Sequence, residues 1–140
     1  MPKSRGSGGV RAGASTPRSQ LRWLAPVAMM AAIFYFSAQP FDGPDLAWWE
    51  VAIRKLGHFG GYAVLAGLWA WALAGTVRRP LLWAGAISLA YACTDEYHQT
   101  FVEGRHGAVI DVGIDGLGIA LAILAIWVWF SGRPRSSRVR

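Results

Sequence analysis

The sequence predicts an all-α protein, an integral membrane bundle of four transmembrane helices, and three observations lead there. Hydrophobic residues make up 54% of the 140-residue chain and charged residues only 16%, with eight Trp, which is more apolar than a small soluble domain. Four apolar runs follow one another, each near the roughly twenty residues that a helix needs to cross a hydrocarbon core. The 14 basic residues collect mostly in the two tails and one short connector, as topology signals do. No polar domain offers a basic face to a groove, so the net charge of +6 does not indicate a nucleic-acid partner.

Residues 1–20, rich in Gly, Ser, Arg and Pro, lack the apolar side chains that offset the entropy of ordering and predict a disordered basic cytoplasmic tail. The membrane domain then occupies 21–130. Its first span, 21–38, carries Arg22 and Trp23 at its start, where a cation snorkels and an indole anchors. A basic tail and a short apolar run also resemble a signal peptide, but Phe36 fits poorly three residues before a cleavage point at Ala38. Residues 39–54 read as an exposed loop with Trp48 and Trp49 in the interface. The second span, 55–75, is ended by Arg78, Arg79 and Pro80; the third and fourth run over 81–97 and 108–130. Residues 131–140 form a second basic tail. Cys93, the single cysteine, lies in an apolar run and reads as core packing, with no disulfide and no thiolate metal site.

Orientation follows from the cations. Lys3, Arg5, Arg11, Arg18, Arg22, Arg78, Arg79 and the four C-terminal arginines fall on one side, leaving Arg54, Lys55 and Arg105 on the other. Both termini are thus expected in the cytoplasm, with the domain in the plasma membrane. All eight acidic residues and all three histidines then lie in the outer loops or outer halves of the spans.

Three polar stripes converge there. His58 and Tyr62 share a face of the second span at a spacing of four, beside the small residues Gly57, Gly60, Gly61 and Gly67. Tyr91, Asp95 and Gln99 repeat every four residues in the third, with Glu96 and His98 adjoining. Asp111 and Asp115 stand four apart in the fourth, continuing through Gly118 and Ala122. Ionisable groups at such depth are costly and need a reason. Three readings remain open: a structural network that locks the bundle, a catalytic or ligand site with Arg105 gripping an anion, and ion passage along the carboxylates. Against the last, the inner halves of the spans hold no ionisable residue to continue a path. Asp, Glu and His at this density could hold a divalent cation, but no specific ligand spacing is present, and the reading is of no metal and no cofactor. Glu103 and His106 read as solvated, and Trp23, Trp69, Trp71, Trp83, Trp127 and Trp129 as anchors or packing.

FYFSAQP near the end of the first span, RKLGHFGGYAVL opening the second, and SLAYACTDEYHQTFVEGRHGAVIDVGIDGLG across the third and into the fourth resemble the VanZ-like family, small multi-span bacterial membrane proteins named for a teicoplanin-resistance protein. The likeness covers 33–118. It implies that the family's polar signature falls on Lys55, His58, Tyr62, Asp95, Glu96, Gln99, Arg105 and Asp111. Two positions depart: Asp115 stands where Asn is usual, and Gly61 where a carboxylate is common. Asp115 therefore adds a charge that must be protonated or paired with Lys55, His58 or Arg105.

What the resemblance implies is a cell-envelope role, not a reaction. The expectation is a protein that binds or acts on an anionic envelope or lipid-linked component and affects glycopeptide susceptibility. In an enzyme, Asp95 or Glu96 would be the base, His58 would assist proton transfer and Arg105 would hold the anion, with Lys55, Tyr62, His98, Gln99, Asp111 and Asp115 as the binding surface. In a binding protein the same residues recognise a headgroup without chemistry. The alternative is a non-catalytic scaffold, with a homodimer formed through the small-residue faces.

Overall fold

The computed structural model describes residues 17–40, 47–105 and 107–133, with side chains from 21 onward. The expectations for the two tails beyond these limits, for most of the first loop's acidic centre and for His106 lie outside the described residues. Four helices and no strand are found among the described residues: α1 (Pro17–Ser37), α2 (Trp48–Leu73), α3 (Pro80–Gln99) and α4 (Val109–Ser131).

The helix starts follow local chemistry. α1 begins on Pro17, before the expected limit of the tail, and α3 on Pro80; proline's fixed φ suits a first turn whose N–H groups lack helical partners. α2 begins at Trp48, so the expected loop of 39–54 is corrected over its last seven residues. The Glu50 carboxylate accepts the Ala47 N–H at 2.9 Å, satisfying an orphan donor, and the charged turn that interrupts the apolar run is thereby helical. Asp111 lies in the first turn of α4, where a carboxylate favours the helix dipole. Gly75 (φ 80°) and Gly104 (φ 73°) make the left-handed turns after α2 and α3, a conformation that side-chain-bearing residues resist.

Ser37 of α1 meets Asp95 of α3, and His58 of α2 meets Asp115 of α4. The four helices therefore run up, down, up and down, and the ends of α1 and α3 share one end of the bundle with the starts of α2 and α4. Tyr62, Leu65, Ala66, Ala92 and Ile119 form one buried cluster; Ala70, Leu73 and Ala84 form another toward the opposite end. Small residues let the backbones approach: a Cβ at Gly118 would overlap the Phe59 carbonyl, so α2 and α4 touch almost backbone to backbone.

Large apolar side chains point outward from all four helices, among them Phe36, Leu56, Leu82 and Trp129, each about two-thirds exposed in the chain alone (68%, 67%, 60% and 64%). Among the described residues one helix, α4, is long and apolar enough to cross a membrane, and the apolar part of α1, Leu21–Ser37, is shorter. Polar residues and small side chains in α2 and α3 lower the apolar character of both. Cys93 is exposed, contrary to the expectation of core packing. The buried face of α3 passes through Ala92, Asp95, Glu96 and Gln99, and Cys93 lies off it.

Arg22 has a definite partner: its Nη2 donates to the carbonyls of Trp71 (2.6 Å) and Ala74 (2.9 Å), and its guanidinium lies 5.6 Å from the centre of the Trp71 ring. These carbonyls belong to the end of α2, where a cation also favours the dipole. Arg22→Gln is expected to destabilise the protein by about 1 kcal/mol in detergent unfolding, a loss typical of one charge-assisted helix cap.

Candidate functional site

The polar residues separate into two groups at the end where α2 and α4 begin. The first faces α1. Asp95, 2% exposed, accepts from Ser37 Oγ at 2.7 Å and Gln99 Nε2 at 3.3 Å, both on Oδ2, while Oδ1 has no hydrogen-bond partner. The Tyr91 hydroxyl donates to the Met30 carbonyl at 2.7 Å. His98 stacks on Phe34 with ring centres 4.6 Å apart, and Tyr62 is fully buried between His58 and Tyr91 at 6.2 and 6.3 Å. The contacts of Ser37, Met30 and Phe34 tie α1 onto α3.

The second group surrounds a cavity of about 260 Å³. Arg54, Lys55 and Arg105 line it together with Asp111, and His58, Glu96 and Asp115 lie beside them. Lys55 pairs with Asp111. Glu96, 5% exposed, accepts the Ala108 N–H at 3.2 Å and so holds the start of α4 against α3. Gly107 permits this approach, because a Cβ there would collide with the Glu96 carbonyl. Arg105 donates to the Phe36 carbonyl at 3.2 Å, closing the last turn of α1. Burial pushes the Arg105 guanidinium down from its ordinary value and Arg54 adds to this, while Asp95 and Glu96 act in the opposite direction. An arginine so placed remains a cation.

Asp115 is 0% exposed, and neither of its carboxylate oxygens has a hydrogen-bond partner. His58 Nδ1 lies 3.6 Å from Asp115 Oδ2, so of the three partners open to Asp115 on sequence grounds the structure selects His58. One ligand-type atom from each of His58, Glu96 and Asp115 lies within 4.8 Å of the others, and these are the residues that could hold a metal ion.

A second, larger and more apolar groove of about 620 Å³ runs along α1 and α2 past Met29, Ile33, Phe36 and Gly61. It shares Arg54, His58 and Arg105 with the polar cavity, so the two spaces adjoin. Of the residues singled out in the sequence, Lys55, His58, Glu96, Gln99, Arg105, Asp111 and Asp115 line the cavity, whereas Asp95, Tyr62 and His98 do not. Glu103 is exposed, as expected. Two participants escaped the sequence reading. Ser37, the buried donor to Asp95, had one signal, a hydroxyl ending an apolar run; Arg54 had another, its place one residue before Lys55.

No curated protein and no solved structure matches the chain. A family model, VanZ/LLP1, matches residues 14–130, which takes in all four helices except the last residue of α4. On that match, and in agreement with the sequence resemblance, the chain belongs to the VanZ/LLP1 family.

Proposed function

We propose that the protein is a four-span plasma-membrane protein with both termini in the cytoplasm, and that its outward cavity binds the anionic headgroup of an envelope or lipid-linked component. The apolar side chains exposed around all four helices support the spans, since a lipid environment would cover them. One observation carries the ligand class: the cavity lined by Arg54, Lys55 and Arg105 adjoins an apolar groove through shared residues. An amphiphile fits such a pair, with its charged head among the cations and its chain along Met29 and Ile33. The starts of α2 and α4 at this end add the positive ends of two helix dipoles.

If chemistry follows binding, Glu96 is the better base than Asp95, because Glu96 lines the cavity and Asp95 is engaged by Ser37 and Gln99. His58 would relay the proton and Arg105 hold the anion. The scaffold reading has its own support in the Ser37–Asp95–Gln99 network and the Lys55–Asp111 pair, which knit helices together without a ligand. A role in teicoplanin susceptibility is part of the proposal: the anionic component bound here would be one on which glycopeptide action depends.

The test is binding of phosphatidylglycerol against phosphatidylcholine to the purified protein in nanodiscs, by native mass spectrometry. Wild type is expected to retain the anionic lipid preferentially, and Arg105→Gln to weaken that retention about tenfold, the loss of one charge-assisted contact. Arg105→Lys should recover part of it by restoring charge without the planar fork. Equal retention of both lipids by wild type overturns the proposal, as does an Arg105→Gln protein that folds and binds unchanged. Expression of wild type and Arg105→Gln at matched levels in a teicoplanin-sensitive host tests the susceptibility role, which fails if wild type gives no protection.

A further inference from the structure

We infer that His58, Glu96 and Asp115 form a site for one divalent first-row cation, of the Mn²⁺ or Zn²⁺ type, at the floor of the polar cavity. Asp115 carries the inference. It is 0% exposed, both of its oxygens lack a hydrogen-bond partner, and it points at two further ligand-type groups within 4.8 Å. A buried carboxylate left in this state is costly unless a cation or a proton meets it.

Neither oxygen of Asp115 accepts a hydrogen bond from a neighbouring cation. Lys55 is engaged by Asp111, and Arg105 donates to the Phe36 carbonyl. His58 brings one positive charge at most, and only when protonated, against the two carboxylates of Glu96 and Asp115. A dication meets both charges and leaves His58 neutral, with Nδ1 as a donor atom. That atom is buried without a hydrogen-bond partner and faces Asp115 Oδ2 at 3.6 Å. The edge of a tetrahedron with metal–ligand bonds of about 2.1 Å is about 3.4 Å, so this pair already stands near ligand spacing.

One imidazole nitrogen and two carboxylate oxygens suit a borderline ion better than a hard one that demands an all-oxygen shell. Glu96 is also oriented: its Oε2 accepts the Ala108 N–H, which leaves Oε1 for the ion. Three protein ligands leave coordination positions open toward the cavity, where the oxygens of a bound anion would complete the shell. The inference deepens the proposed function, since it assigns an ion to the same cavity. It also concerns a feature of this chain, because Asp115 occupies the position where the family resemblance has Asn.

The experiment uses the full chain in nanodiscs of zwitterionic lipid only, stripped with EDTA and titrated with Mn²⁺, the free ion being followed by electron paramagnetic resonance. Zn²⁺ competition is read in the same samples. One saturable ion per chain is expected, displaced by Zn²⁺. Asp115→Asn, which conserves volume, and Glu96→Gln should each weaken binding by about tenfold or more, while Glu103→Gln, an exposed carboxylate outside the cavity, should retain the site. Circular dichroism and elution volume establish that each variant is folded. Absence of saturable binding to wild type overturns the inference, and so does unchanged affinity in a folded Asp115→Asn protein; either result leaves His58 and Asp115 as an ion pair. Because no anionic lipid is present, failure of the metal site and failure of lipid recognition are read separately.

Discussion

Gly118→Leu is expected to give the largest loss of stability of any single change considered for this protein, at the upper end of the roughly 1–3 kcal/mol that overpacking costs. A Cβ at Gly118 would overlap the Phe59 carbonyl oxygen, with the carbonyl carbon and the Phe59 ring next in line. The obstacle is backbone rather than the end of a flexible side chain, so α2 and α4 must separate to admit it. This pair forms the most extensive helix contact of the bundle and brings His58 to Asp115. The variant should therefore lose thermal stability in detergent and the integrity of the cavity together. Gly113 in the same helix provides a control of opposite sign, because no atom lies within 4 Å of a Cβ built there. Gly113→Ala should stabilise by about 0.5–1 kcal/mol through helix propensity alone. If Gly118→Leu melts like wild type, the close α2–α4 crossing is wrong.

Ser37→Ala is expected to cost about 2–3 kcal/mol, although it removes a single oxygen. The hydroxyl donates at 2.7 Å to a carboxylate that is 2% exposed, and its loss leaves Asp95 with only the longer Gln99 contact. A double-mutant cycle with Asp95→Asn separates the causes. If the hydroxyl serves to satisfy a buried charge, Ser37→Ala should cost under about 1 kcal/mol in the Asp95→Asn background, where the charge is gone. Equal costs in both backgrounds would mean that packing at the end of α1, rather than the charge, sets the effect. The cycle also bears on function: a structural role for Asp95 lowers stability without altering lipid selectivity in the folded fraction.

Much of this architecture was legible in the order of apolar runs. The cores of α1, α3 and α4 sit within a few residues of their expected limits, because the apolar stretches themselves define those helices. The start of α2 was hidden, since Glu50, Arg54 and Lys55 end the apolar pattern while the backbone continues helical past them. Cys93 was misplaced because an apolar run states what is buried in a bilayer or a core without saying which face meets protein. That face is fixed by Ala92, Glu96 and Gln99. At the site, spacing by fours identified the stripes on α2, α3 and α4. It left undetermined which stripe faces which neighbour, and therefore that Asp95 turns to α1 while Glu96, its immediate neighbour in sequence, turns to α4. The partner of Asp115 was a choice among three cations until the crossing at Gly118 set the rotation of α4 against α2.

One helical turn beneath His58, Glu96 and Asp115 come Tyr62, Ala92 and Ile119, with Leu65 and Ala66 behind them, all buried and in mutual contact. The cavity thus has a closed apolar floor. In the proposed four-span topology, whatever enters it would come from the end where α2 and α4 begin or along the adjoining groove, and no polar path would continue to the opposite face. In the proposed topology such a site would behave as a receptor does: it could hold a ligand against dilution, but it would offer that ligand no route from one side of the membrane to the other.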